Sequence, residues 1–528
     1  MKILGLHKDP WHNTGAAIIV KEGEKVSFVN LAEERCNREK DSRKFPIQST
    51  KACMKEFGIK DYNEFDLVVI DYIINGNDWK KDYLNNQCDT DNFLNEIDQS
   101  KIVLVNHHLC HAHNTFYSSG FQKAAILIVD GRGSERETQS LYLGDKENGI
   151  TLLDKTDTIG IGLLYSSVTL KAGFKILQEG KTMGLAPYGK NIEKSFFKFE
   201  RNFSGIITDY SYACVDGSYE TKLDHPEIST FEDKAKVSYE VQQECEAAMF
   251  HLAKYAKEKT GADYLCISGG VGLNSVANNK ILKSNIFKDI YINPEASDTG
   301  IPLGAALYGL HKVKNQKRTY QGWISPYIGP TYSKEEIISA VEKFEGYKII
   351  KDGAHSKAAD LLSENKILGV FHGRSEMGPR ALGNRSIIMS PLKAENKDIL
   401  NSRVKFRESF RPFAPAILKE YTSEYFDFDR ESPFMLMVPD VKEDKKNVIP
   451  AVTHVDGTGR LQTVSKELNE NFYSLIENFY KKTGVPVLLN TSFNVNGEPI
   501  VETPEDAIKC FLKTSIDALL VEDILLVK

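Results

Sequence analysis

His107 and His111 stand four residues apart, directly after the apolar run Ile102-Val103-Leu104-Val105. If the chain turns from that strand into a helix, the two imidazoles project from one face and can grip a single ion. Two acidic residues keep similar company. Asp130 closes the apolar run 126–129, and Asp298 precedes a Gly/Ala-rich helix start. Two imidazoles with two carboxylates suit a borderline or hard divalent ion with open positions: iron(II), manganese or magnesium. Closed structural zinc more often uses thiolates. Cys110, inside the histidine run, has two readings, a soft ligand or a small buried residue facing away, and the second is favoured.

Other clusters point to anions. His12 tips a loop before Asn13-Thr14-Gly15-Ala16-Ala17, small residues that let backbone approach a ligand, although from this segment alone an ordinary hairpin is the favoured reading. Gly269 and Gly270 follow the strand 264–268, with Asn274 just beyond. Backbone N–H groups at such a turn can cradle phosphate. In the second half, Arg374, Arg380 and Arg385 are packed among glycines. Lys405, Arg407 and Arg411 follow, then His454 with Arg460, and Asn490 ends the strand 487–489. Guanidinium forks bind phosphate and carboxylate in bidentate fashion. A solvated charged face is the plain alternative for 403–411, yet arginines interleaved with Gly, Pro and Phe are unlike a solvated helix.

These residues need strands to hold them. Apolar runs predict strands at 2–6, 16–20, 25–30, 66–70, 102–105, 125–129, 264–268, 367–371, 485–489, 518–520 and 524–527. Helical spacing predicts helices over 236–259, 334–344, 355–365 and 504–513, the last with Thr503 or Pro504 at its start. Both halves are therefore mixed α/β. An irregular tract around 315–332, with Pro326 and Pro330, reads as a linker. The domain division expected is 1–318, a linker at 319–333, and 334–528.

The 528 residues carry a formal net charge of −6, so no basic field points to nucleic acid. No apolar stretch approaches a membrane span, and the N-terminus lacks the pattern of a secretory signal. Eight scattered cysteines without a CxxC pair suit a reduced, cytoplasmic protein.

Several long motifs resemble one family in one order. They are His12-Asn13-Thr14-Gly15-Ala16, Glu33-Glu34-Arg35, His107 to Ala112, Glu179 to Gly189 and Gly269-Gly270-Val271, followed by the arginine motifs. Together they resemble the ATP-dependent O-carbamoyltransferases of nodulation-factor, cephamycin and aminoglycoside tailoring. The resemblance implies an actin/Hsp70-type (ASKHA) N-terminal domain, similar to the tRNA threonylcarbamoyl transferase subunit, fused to a YrdC-like α/β domain. It implies a metal on His107, His111, Asp130 and Asp298, iron(II) being favoured, and a catalytic role for His12; Lys40 is counted with it. It further implies that the second domain makes carbamoyl-adenylate from carbamoyl phosphate and Mg-ATP. The first domain then passes the carbamoyl group to a hydroxyl of a small-molecule or glycan acceptor. The segment 75–99 is a candidate acceptor wall. The chain departs from the family at Asn13, where Asp is usual, and this bears on His12 as a base. Two other readings compete: a tRNA threonylcarbamoyl-type enzyme, against which the acidic balance speaks, and a non-catalytic nucleotide- or sugar-binding module. Neither nucleic acid nor membrane is an expected partner, and a homodimer is left open.

Overall fold

The computed structural model describes residues 1–8, 13–72, 93–216 and 218–528. His12 and most of the segment 75–99 lie outside these residues. The chain divides into two compact units, one of residues 1–34 and 41–324, the other of residues 35–40 and 325–528. The division at Ile324 falls inside the tract read as a linker. The excursion of 35–40 into the second unit is a feature that apolar patterning does not reveal.

The first unit holds two five-stranded sheets. One comprises β1 (Lys2–His7), β2 (Gly15–Glu22), β3 (Lys25–Ala32), β4 (Leu67–Tyr72) and β5 (Ile102–Asn106), in the order β3-β2-β1-β4-β5. The other contains β6 (Lys123–Val129), β7 (Gln139–Asp145) and β8 (Gly149–Thr156). A small hairpin, β9 (Asn202–Ser204) and β10 (Ile207–Asp209), intervenes before β11 (Tyr264–Ser268) and β12 (Asp289–Ile292) complete that sheet, in the order β12-β11-β6-β7-β8. In each sheet the first three strands are antiparallel neighbours, and the last two run parallel to the first. Numbered within its own sheet, each therefore runs 3-2-1-4-5. This repetition is the doubled arrangement of the actin/Hsp70-type domain that the motifs led us to expect. The central strands are covered on both faces: Ile3, Leu4, Leu6, Ile126, Leu127 and Ile128 are fully buried, as near-continuous apolar runs in parallel strands require.

Caps decide where the helices begin. Helix Phe231–Thr260 starts earlier than apolar spacing suggests, because Thr230 and Asp233 form a reciprocal capping box. Helix His107–Ser119 starts where Asn106 accepts from the Leu109 N–H.

The second unit is built on one mixed eight-stranded sheet. Its strands are β13 (Lys348–Ile350), β14 (Leu368–Phe371), β15 (Arg385–Met389), β16 (Ala414–Leu418), β17 (Gln462–Val464), β18 (Val487–Ser492), β19 (Ala518–Val521) and β20 (Ile524–Val527). Their order is β13-β20-β19-β14-β15-β18-β16-β17. Phe472, Leu475, Ile476 and Phe479 of helix Glu470–Thr483 join Ala358 and Leu362 of helix Ala354–Ser363 in one buried cluster against the sheet. Helix Pro504–Lys513 begins as expected, with Thr503 as N-cap and Pro504 in the first turn. Among the described residues, no helix is long and apolar enough to cross a membrane.

Candidate functional site

In the first unit the carboxyl ends of parallel strands converge, the usual place for a ligand in an open α/β sheet. Leu6 of β1 pairs with Ile70 of β4, so the next residues, His7 and Asp71, come side by side. Asp71 accepts from both neighbours: its Oδ1 lies 2.9 Å from His7 Nδ1 and its Oδ2 lies 2.9 Å from His107 Nδ1. With Nδ1 held in this way, His107 presents Nε2 towards Asp130 (3.6 Å) and Asp298 (3.5 Å). One helical turn on, His111 Nε2 lies 3.0 Å from Asp130 and 3.6 Å from Asp298, while its Nδ1 lies 3.2 Å from Ser268 Oγ. Ligand atoms from His107, His111, Asp130 and Asp298 all fall within 4.8 Å of one another. The four residues paired by sequence reasoning are thus brought together.

Small residues set this geometry. Gly269 has φ 88°, and a Cβ there would strike the Val129 carbonyl; only glycine lets β11 leave the sheet so close to the end of β6. The next N–H, that of Gly270, donates to Asp130 Oδ1 at 3.2 Å. A Cβ on Gly304 would strike the Cys110 carbonyl, so this glycine lets helix Ile301–Tyr308 lie against helix His107–Ser119. The Asp298 turn directly precedes helix Ile301–Tyr308.

Electrostatics favour a cation in the cluster. Burial works to raise the Asp130 carboxyl and the facing Asp298 charge adds to it, yet the two imidazoles prevail and hold it below the usual carboxylate range. Burial likewise opposes charge on His107, but Asp130, Asp298 and Asp71 lift it well above an ordinary histidine. A metal ion taking the place of that proton would meet the same two carboxylates. The donor set, two Nε2 atoms and two carboxylates with outer partners on both rings, fits a divalent ion. Cys110 is no part of the cluster: burial, then Asp71, pushes its thiol well up. His108 faces Ser140 instead, 2.8 Å from Nδ1 to Oγ, and burial keeps it neutral.

Other candidates in this half serve the fold in this structure. Asn274 caps helix Ser275–Lys283 and exchanges hydrogen bonds with Gln242 at 3.0 and 3.1 Å. Lys40 is exposed and belongs to the 35–40 segment of the second unit.

In the second unit, Arg380, Arg407, Arg411 and Arg460 form a cationic cluster. Burial first, then mutual repulsion, pushes Arg380 down to about 10 and Arg407 down to about 9. Arg460 is lowered as well, by burial first and then by the other three. Arg411 is lowered too, with some relief from Glu408, 3.8 Å away. The Arg407 guanidinium lies over the Phe413 ring at 4.2 Å. Such a gathering of guanidinium groups has the chemistry to hold a multiply charged anion.

Arg374 and Arg385 are engaged differently in this structure. Every nitrogen of the Arg385 guanidinium bonds a backbone carbonyl, those of Glu502, His372, Asn384 and Gly373. The group is fully buried and stacked 3.6 Å from Phe371. Arg374 bonds the carbonyls of Gly329 and Ile328. Glycine-rich segments expose carbonyls as well as N–H groups, and these two arginines satisfy them. Lys405 is buried, with Nζ among four oxygens of Ser492 and Asn494. Asn490 ties β18 to Ala381 and Gln462. His454 opens the tight turn 454–458 that leads to Arg460.

Sequence reasoning missed His7, Asp71, Glu376 and Glu502. The first two carried a signal: each is a titratable residue closing an apolar strand, the pattern already noted for Asp130. Glu376 accepts from the N–H groups of Leu382, Asn384 and Arg385 at 2.7, 2.8 and 3.0 Å. Nothing local in the sequence marks it for that role.

Comparison with known proteins places the chain in a family. Residues 72–307 match the model described as carbamoyltransferase N-terminus, and residues 359–528 match carbamoyltransferase C-terminus. The nodulation protein NolNO of Sinorhizobium fredii is 35% identical over 97% of this chain and 79% of its own length. Nodulation protein NolO of Bradyrhizobium diazoefficiens is 38% identical over 79% of this chain and 78% of its own. Among solved structures, HypF of T. kodakarensis aligns over 60% of this chain and 49% of its own, at 13% identity and a TM-score of 0.35. With a relative at 35% identity across 97% of this chain, and both halves matched in order, the chain belongs to the carbamoyltransferase family.

Proposed function

We propose that this protein is an ATP-dependent O-carbamoyltransferase that divides its work between the two units. The observation that carries the reading is the gathering of four largely buried guanidiniums, Arg380, Arg407, Arg411 and Arg460, with Glu408 as the one carboxylate acting on them among the described residues. Carbamoyl phosphate and the triphosphate of ATP are both polyanions, and holding them together needs several fixed positive charges. Carbamate is a poor electrophile. After carbamoyl phosphate gives up its phosphate to water, the carbamate oxygen attacks the α-phosphorus of ATP and pyrophosphate leaves. The product is carbamoyl-AMP, a mixed anhydride with a good leaving group. Magnesium accompanies the ATP phosphates.

The second half-reaction belongs to the first unit. His107, His111, Asp130 and Asp298 would hold the divalent ion, which supplies Lewis-acid stabilisation of negative charge when bound. Asp71 and Ser268 orient the two rings. The acceptor hydroxyl must lose a proton, and His12 is the candidate base. Iron(II) is our favoured ion, and the acceptor a hydroxylated small molecule or glycan.

The test is direct. Pyrophosphate release from ATP should require carbamoyl phosphate, and hydroxylated metabolites incubated with both should gain the mass of a carbamoyl group. Pyrophosphate release indifferent to carbamoyl phosphate would refute the reading.

A further inference from the structure

The segment 35–40 lies in the N-terminal part of the chain but packs in the second unit. Its anchor is Arg35, only 5% exposed. Arg35 Nη2 donates to the Gly378 carbonyl at 2.8 Å, and Nη1 lies 3.6 Å from Glu502 Oε2, itself buried. Arg38 adds bonds to the carbonyls of Pro499 and Ile500, at 2.9 and 2.7 Å.

Gly378 has a φ of 86° and stands two residues before Arg380. The loop from Glu376 to Arg385 is therefore held on two sides. From within, the Glu376 carboxylate collects three of its N–H groups. From outside, Arg35 holds the Gly378 carbonyl. Arg380 needs both. Its Nε is buried with no hydrogen-bond partner, and Arg411 repels it. Left to itself a loop carrying that charge would swing towards solvent, because a buried guanidinium is costly without compensation. Glu502 completes the frame: its Oε1 accepts from Ser375 Oγ at 2.9 Å, and its carbonyl accepts from Arg385.

We propose that Arg35, from the N-terminal part of the chain, is a positioning residue for the anion site of the second unit, holding the Gly378 turn so that Arg380 faces its ligand. It touches no substrate. The inference rests on the function proposed above, so its test includes a readout free of that chemistry.

The experiment uses the full chain with Arg35→Ala, Arg35→Lys and Arg38→Ala. Two quantities are followed: the KM and kcat of carbamoyl-phosphate-dependent pyrophosphate release, and the rise in Tm on adding sulfate as a bare anion probe. For Arg35→Ala, KM for carbamoyl phosphate should rise about tenfold or more while kcat changes about threefold or less. The sulfate-induced rise in Tm should shrink, and added guanidinium ion should restore part of both. Arg35→Lys should recover little, since one ammonium does not span two acceptors. Arg38→Ala loosens the same segment without touching the Gly378 turn, and should leave KM unchanged. An Arg35→Ala protein with unaltered KM and a full sulfate response would overturn the proposal. So would equal defects in Arg35→Ala and Arg38→Ala, which would reduce Arg35 to general docking of the segment. Wild-type protein that responds to sulfate but releases no pyrophosphate would instead count against the enzymatic reading, leaving the sulfate comparison to decide the role of Arg35.

Discussion

Asp71 Oδ2 and His107 Nδ1 lie 2.9 Å apart, with both side chains about 1% exposed. The carboxylate fixes the ring so that the other nitrogen faces Asp130 and Asp298. A histidine bound in this way is a stronger and better-aimed ligand. Asp71→Asn should therefore weaken divalent-ion binding about 10- to 100-fold, although Asp71 is not itself among the four ligands. Titration of the apoprotein with iron(II) or manganese measures this, and wild-type affinity in the variant would refute the orienting role.

Removing a ligand should separate the two half-reactions. His107→Ala is expected to lower both bound metal and carbamoyl transfer, while carbamoyl-phosphate-dependent pyrophosphate release stays within about threefold of wild type. Equal loss of both activities in a protein that still melts cooperatively would contradict the division of labour between the units.

In the arginine cluster, stability and binding should move in opposite directions. Arg380, Arg407 and Arg460 are each pushed down by burial and by neighbouring guanidiniums, so removing one relieves that repulsion. Arg460→Met should raise the stability of the ligand-free protein by about 1 kcal/mol while weakening carbamoyl phosphate binding. Phosphate or sulfate should stabilise the wild type by mass action, about 2.7 kcal/mol at a hundredfold excess over Kd. Denaturant melts with and without anion test both signs; an Arg460→Met protein less stable than wild type would show that the repulsion is not felt.

Acid should destabilise the first unit through its buried neutral imidazoles. His113, 3% exposed, bonds the Leu109 carbonyl at 2.8 Å and is pushed by burial down to about 3. Its nearby partner His311 is pushed down to about 4. Above pH 6.5 neither state takes up the proton, and stability is full. As pH falls below that value the unfolded chain binds a proton that the folded chain refuses, at a cost of about 1.4 kcal/mol per pH unit for each histidine. His113→Phe should flatten this slope between pH 6.5 and 4.5. An unchanged slope in denaturant melts across that window would rule out His113 as a source.

The histidine–aspartate cluster is the most legible part of the sequence. Strand ends and one helical turn are local features, and His107, His111, Asp130 and Asp298 each sit on one. The doubled sheet was half legible. Apolar runs gave the central strands β1, β4, β6 and β11, but not β7 and β8. Those two lie outside the parallel core, and β8 is half-exposed and carries charge. The arginine pocket divided along a line that no motif shows. Arg380 and Arg385 belong to the same glycine-rich stretch; one is spare and the other is spent on carbonyls. Which is which depends on the nearest acceptor, a property of tertiary structure. Arg35 was quoted within a motif and given no task, because its partners lie more than 340 residues away.

The excursion of residues 35–40 also limits how such proteins can be recombined. A chimera that joins the first three hundred residues of one relative to the last two hundred of another would look clean at the tract near Ile324. It would nonetheless mate six residues of one lineage with the Gly378 and 499–502 segments of the other. Grafts that carry those six positions along with the donor's C-terminal half should keep the proposed adenylate-forming activity where simple fusions lose it.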